Sequence, residues 1–152
     1  MSTSRSTDLP YRTKIFRRNN LGRRTKGRIF LLQCRYAAEA NGLSLAENME
    51  SMSAPERVRD AETRDWIKTL GDAVNTNLDE IHRKIEPALR NWSMDRLTKI
   101  TRLILEQSVA ETDYLNTPAA VAIQEAVRLA QEFEDDKTGS FVNGVLDRIL
   151  CK

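Results

Sequence analysis

Phe141-Val142-Asn143-Gly144-Val145-Leu146-Asp147-Arg148-Ile149, near the end of the 152-residue chain, decides how the rest is read. At 100° per residue, Val142, Val145, Leu146 and Ile149 fall on one side of a helix. A last helix is therefore expected from about Thr138 to Leu150. Upstream, Thr117-Pro118 reads as a restart signal, a capping hydroxyl followed by proline at the first helical position, where a missing N–H costs nothing. The helix it opens carries Val121-Ala122-Ile123-Gln124-Glu125-Ala126-Val127-Arg128-Leu129-Ala130. It would bury Ile123, Ala126, Val127 and Ala130 and fade at Glu134-Asp135-Asp136.

Working further back, Ser93 reads as an N-cap for a helix with Leu97, Ile100 and Ile104 inward, running to about Thr112. Before it lies the longest periodic segment, roughly Arg57 to Ile85. There Ile67, Leu70, Val74, Leu78, Ile81 and Ile85 step by three or four, and Pro87 with Asn91-Trp92 ends it. Gly71 weakens this segment by about 1 kcal/mol relative to alanine. Residues 42 to 56 read as a loop or short helix, with Pro55 against anything longer. From Arg23 to Ala40 the pattern is helical again, and Asn41-Gly42 is a natural stop. On that helix Arg24, Arg28 and Arg35 form a basic stripe roughly 100° from Ile29, Leu32 and Tyr36. No segment sustains period-two alternation. The expected architecture is all-α, a compact bundle of about six or seven helices over residues 22 to 152, preceded by a flexible basic arm over residues 1 to 21.

The net charge of +2 hides an asymmetry, because residues 1 to 35 hold ten Lys/Arg against Asp8 alone. One end is built for a polyanion and the body is not. A Ser/Thr/Arg-rich start also suits a transit peptide, although it lacks an amphipathic apolar face. No run approaches the roughly 20 apolar residues of a membrane span. Cys34 and Cys151 match no zinc or redox spacing, which fits a reduced cytoplasmic protein.

Catalysis is not expected. His82 is the single histidine and lacks a nucleophile motif, the glycines are scattered, and three consecutive carboxylates at 134 to 136 rarely converge on one metal. No cofactor or metal is called for. Arg23, Arg24, Lys26 and Arg28 instead open a helix whose free N–H groups already favour phosphate. RNA suits the pattern better than duplex DNA, since no reading helix or zinc pattern appears. Phe141 and Asn143 could supply stacking and amide groups beside the charge. Trp66 and Trp92 read as core residues.

These blocks together, RRTKGRIFLLQCRY, Leu78-Asp79-x-Ile81, Trp92-Ser93-Met94-Asp95-Arg96-Leu97, Thr117-Pro118 before VAIQEAVRLAQEF, and FVNGVLDRI, resemble the NusB family of transcription antitermination factors over roughly Arg23 to Ile149. The resemblance implies an all-helical protein that binds boxA RNA of ribosomal RNA leaders with NusE, a small-subunit ribosomal protein, and helps RNA polymerase elongate through terminators. It implies that Arg24, Lys26 and Arg28, with Arg23 beside them, grip phosphates. Phe141 and Asn143 would lie near the RNA, with Lys137 supplying a nearby charge. A homodimer hiding the RNA face is a further expectation. The chain departs from the family pattern at Ser140, where a lysine is usual, at Lys137, where an acid is, and at Glu106, where an arginine is. Gln124-Glu125 and Cys34-Arg35-Tyr36 are further departures. Glu106 and Ser140 motivate an alternative, a protein-interaction scaffold with a weakened RNA role. A methyltransferase N-terminal domain is another, for which the chain offers no room for a cofactor-binding domain.

Overall fold

The computed structural model describes residues 22–52, 58 and 60–151. The arm expected over residues 1 to 21 lies outside the described residues, as does Pro55. Seven α-helices and no strand occur among the described residues. They are α1 (Arg23–Asn41), α2 (Leu45–Ser51), α3 (Ala61–Thr76), α4 (Leu78–Leu89), α5 (Lys99–Leu115), α6 (Ala119–Phe133) and α7 (Asp136–Leu150). Their contacts cluster into two compact units, one ending at Gly71 and one beginning at Asp72.

In the first unit, α1 stops where Asn41-Gly42 said it would. Gly42 takes φ 75°, a left-handed conformation that glycine holds without strain, and its N–H closes on Ala38 O at 3.0 Å. Ser44 and Glu47 then cap each other reciprocally to start α2. The buried Asn48 amide binds the Asn41 side chain at 2.8 Å and Ser44 O at 2.9 Å, fixing α2 against the end of α1. Helices α1 and α3 approach closely at Gly27, where a Cβ would come within 3.1 Å of Ile67 and 3.3 Å of Thr63. Ile29, Phe30, Leu31 and Leu32 are all buried, so α1 is covered on more than the one stripe expected of it.

The long segment read as one helix is broken. Asn77 takes φ −113° and ψ 23°, its side chain bonds back to Ala73 O at 2.9 Å, and α4 begins at Leu78. The apolar spacing runs through this turn without interruption, which is why periodicity alone did not expose it. Pro87 does not end α4; it sits in the last turn, and the helix closes two residues later at Leu89, where Arg90 adopts φ 62°.

Ser93 does not cap α5. It opens a short 3-10 turn, Met94–Arg96, and Thr98 caps α5, accepting from Thr101 N at 3.2 Å. Thr117 gives no capping hydrogen bond either; Pro118 stands at the cap position of α6 and its carbonyl accepts from Val121 and Ala122. Within the second unit α6 packs on α5 and α7, and α4 on α5 and α7. The middle of α5 is buried on every side, including Glu106, Gln107 and Glu111. No helix among the described residues is long and apolar enough to cross a membrane.

Candidate nucleic-acid interface

The first cluster of sequence-predicted residues lies on the opening turns of α1. That turn holds no acidic residue and two arginines, where the helix dipole disfavours cations. The charge is therefore not there to stabilise the helix. Arg23 is exposed and 4.0 Å from Asp60, a surface pair worth little. The hydroxyl and N–H of Thr63, more than Arg23, hold the Asp60 carboxyl below the ordinary carboxylate range.

Arg24 and Arg28 stack on the same aromatic ring, their guanidinium carbons 4.8 and 5.1 Å from the centroid of Trp66 on α3. Trp66 is thus half-buried under two cations and not in the core. The two arginines differ in access. Arg24 is exposed, whereas Arg28 keeps 5% of its surface and Arg35 keeps 8%. The stripe of Arg24, Arg28 and Arg35 is consequently not a solvated face, and the reachable charges at the start of α1 are Arg23, Arg24 and the half-buried Lys26.

A second cluster forms around the first turns of α7. Asp135 caps this helix, accepting from Thr138 N at 2.8 Å and Oγ1 at 2.7 Å, bonds that keep its carboxyl below the ordinary range. Glu134 accepts from Thr98 at 2.8 Å, and its other oxygen lies 3.3 Å from the same Thr138 hydroxyl, whose one proton Asp135 takes. The acidic run is thus a helix junction tied to α5 through Glu134, with Asp135 and Asp136 exposed to solvent. It sets Lys137 and Phe141, one turn apart, on the same side of α7.

Both line a cavity of about 340 Å³ with Trp92, Arg96, Leu97, Thr98 and the carboxylate-bearing Glu134. Trp92 meets Phe141 edge to face, with ring centroids 6.0 Å apart, and Arg96 lies 5.7 Å over the Trp92 ring. Trp92 is 49% exposed, so it too is not a core residue. Asn143 is exposed but about 200° around the helix from Phe141, and it does not line the cavity. Trp92 and Arg96 are the residues that the sequence reading missed. Their signal was the Trp-Ser-x-Asp-Arg turn chemistry, in which Ser93 Oγ donates to Asp95 Oδ1 at 2.6 Å.

Exposed aromatic rings flanked by cations at a cleft are what a single-stranded nucleic acid needs, a π-face for a base and charge for its phosphates. Comparison with known proteins gives the family. The NusB family model matches residues 25–150. The chain belongs to the NusB family. It is 35% identical to a transcription antitermination protein NusB of Listeria welshimeri over 128 residues, 84% of this chain and 95% of that one. It is 36% identical to the NusB of Myxococcus xanthus over 133 residues, 85% and 95% of the two chains. Among solved structures it resembles a crystal structure of the antitermination factors NusB and NusE in complex with double-stranded RNA. There the TM-score is 0.71 at 25% identity, over 91% of this chain and 98% of the other. The NusB fold and the all-helical architecture expected from the sequence are thus both present.

The charge reversal at Glu106 is resolved by the fold. Its carboxylate is buried, 2.6 Å from His82 Nε2 and 3.2 Å from Arg102 Nη1. It faces internal partners instead of adding a negative charge to an outer surface. Cys34 is buried as expected, and burial pushes its thiol up to about 12, which makes it a packing residue and not a nucleophile.

Proposed function

We propose that the protein is a transcription antitermination factor that binds boxA-type RNA of ribosomal RNA transcripts together with NusE and supports elongation by RNA polymerase. The observation that carries this reading is the Trp92–Phe141 pair opening on a cavity with Arg96 and Lys137, in a chain of the NusB family. A base stacks on the exposed ring, and the guanidinium and ammonium groups take adjacent phosphates. Arg23, Arg24 and Lys26 at the free N–H end of α1 add phosphate contacts, and Arg28 braces Trp66 beneath Arg24. Asn143, on the other side of α7, serves as a polar contact outside the cavity.

The role is binding and not catalysis, carried out in the cytoplasm without a cofactor, and a homodimer that covers the RNA face is the resting form this reading allows. The scaffold alternative drew on Glu106 and Ser140. With Glu106 buried against His82 and Arg102, half of its warrant is gone.

The test is affinity for a short boxA-like RNA and for a scrambled RNA of the same length, each with and without NusE. Tighter binding to boxA, strengthened by NusE and weakened by salt with a slope of about 0.7 per phosphate contact, supports the reading. Equal binding to both RNAs reduces the protein to a general polyanion binder.

A further inference from the structure

We infer that the RNA track does not end at the Trp92–Phe141 cavity but continues along one stripe of α7 into a second, basic cleft that takes the sugar-phosphate backbone of flanking nucleotides. This rests on the RNA reading above. Lys137, Phe141, Gly144 and Arg148 recur at steps of four, three and four, which places them within about 60° of one another on a helix. The stripe is about 16 Å long at 1.5 Å per residue. One end opens into the aromatic cavity. The other end opens into a cleft of about 560 Å³ whose lining includes Arg83, Lys84, Arg90 and Arg148 and no acidic residue.

The four cations are not equally committed. Arg148 Nε donates to Ala88 O at 2.9 Å, covering one of the carbonyls left open at the end of α4. Its Nη1 lies where a Cβ on Gly144 would sit 3.6 Å away, so the guanidinium reaches back along the stripe. Lys84 is matched by Asp113 at 2.6 Å. Arg83 stands 3.6 Å from Glu80 with both side chains more than half exposed, a pair that a phosphate displaces at little cost.

Arg90 is the telling residue. Its side chain has no hydrogen bond or ion pair among the described residues, and its backbone holds φ 62° and ψ −98°, a conformation suited to glycine. The local fold asks for glycine and the chain supplies a guanidinium at the mouth of a basic cleft. A planar fork of donors suits phosphate oxygens. Continuity with the aromatic cavity along α7 favours the backbone of the same RNA over an acidic protein segment.

The experiment measures anisotropy of the shortest boxA-like RNA that binds, and of that RNA extended with uridines at either end. Wild-type protein is compared with the Arg83→Gln/Arg90→Gly variant. Extension at one end is expected to tighten wild-type binding about fivefold per added phosphate contact near 0.1 M salt, and to steepen the salt slope by about 0.7 per contact. The variant is expected to bind the short RNA as wild type does and to gain nothing from extension. A gain that survives the double substitution, or no gain in wild type, overturns the track. So does a variant that loses only an acidic peptide probe while its RNA gain persists, which would make the cleft a protein site. Failure of the short RNA to bind at all sinks the RNA reading itself and this inference with it. Arg83→Gln alone, scored the same way, serves if Arg90→Gly disturbs the turn.

Discussion

The guanidinium of Arg28 lies 5.1 Å from the centre of the Trp66 ring, and the residue keeps only 5% of its surface. Arg24 lies 4.8 Å from the same ring yet is exposed. One aromatic side chain thus carries a structural arginine and an accessible one. Arg28→Ala is expected to cost about 1–3 kcal/mol of stability through lost packing and a desolvated cation–π contact. Arg24→Ala is expected to cost less than about 1 kcal/mol while weakening RNA binding about fivefold near 0.1 M salt. Chemical denaturation and RNA titration of the two variants separate these effects. Equal stability losses would mean that the burial of Arg28 does not hold in solution.

Trp92 presents half its surface beside Phe141 and under Arg96. A stacked base is worth about 1–3 kcal/mol, so Trp92→Ala should reduce affinity for a boxA-like RNA by roughly 5- to 150-fold. Stability should fall by no more than about 1.5 kcal/mol, the value of an edge-to-face pair. In a Trp66→Phe background, RNA should quench the fluorescence of the remaining Trp92. An unquenched signal with wild-type affinity would remove the aromatic cavity from the interface.

How far the sequence reached depended on the kind of signal. Asn41-Gly42 and Thr117-Pro118 encode their turns locally, and the helix ends fell beside them. The break at Asn77 was hidden because a short turn kept Leu78 and Ile81 in step with Leu70 and Val74. Lys137 and Phe141 were legible as neighbours, since i,i+4 spacing on one helix suffices to bring them together. Trp92 and Arg96 were not, because their exposure depends on the chain leaving α4 through the unusual backbone of Arg90. A helical projection gives the direction of Arg28 but not the helix that covers it, so its stripe read as solvent-facing.

Glu106 shows the same limit with a charge. Buried, with His82 Nε2 at 2.6 Å and Arg102 at 3.2 Å, it balances the Arg102 guanidinium, which an arginine in its place would repel. Glu106→Arg restores the residue usual in the family and is nevertheless expected to destabilise this chain by about 3 kcal/mol or more. The reading is checked by thermal or urea denaturation, with Glu106→Gln as the milder control. An unchanged midpoint for the arginine variant would mean that the site is open enough to let a long side chain escape to water.

Asp135 links acid stability to the interface. Hydrogen bonds from Thr138, side chain first and then backbone, hold its carboxyl below the ordinary value of 3.8. A lowered folded-state value means that the stabilisation is present above the unfolded value and is lost as pH falls through the folded one. Asp135→Asn keeps a capping oxygen and has no proton to take up. Its stability should match wild type near about pH 7 and depend less on pH below about 4. Asp135→Ala should lower the melting temperature at neutral pH, because the first turn of α7 loses its cap. That turn carries Lys137, and the next carries Phe141. RNA affinity should therefore fall in the alanine variant and survive in the asparagine variant. Equal affinity of both would show that the cap stabilises the helix without positioning the residues that line the cavity.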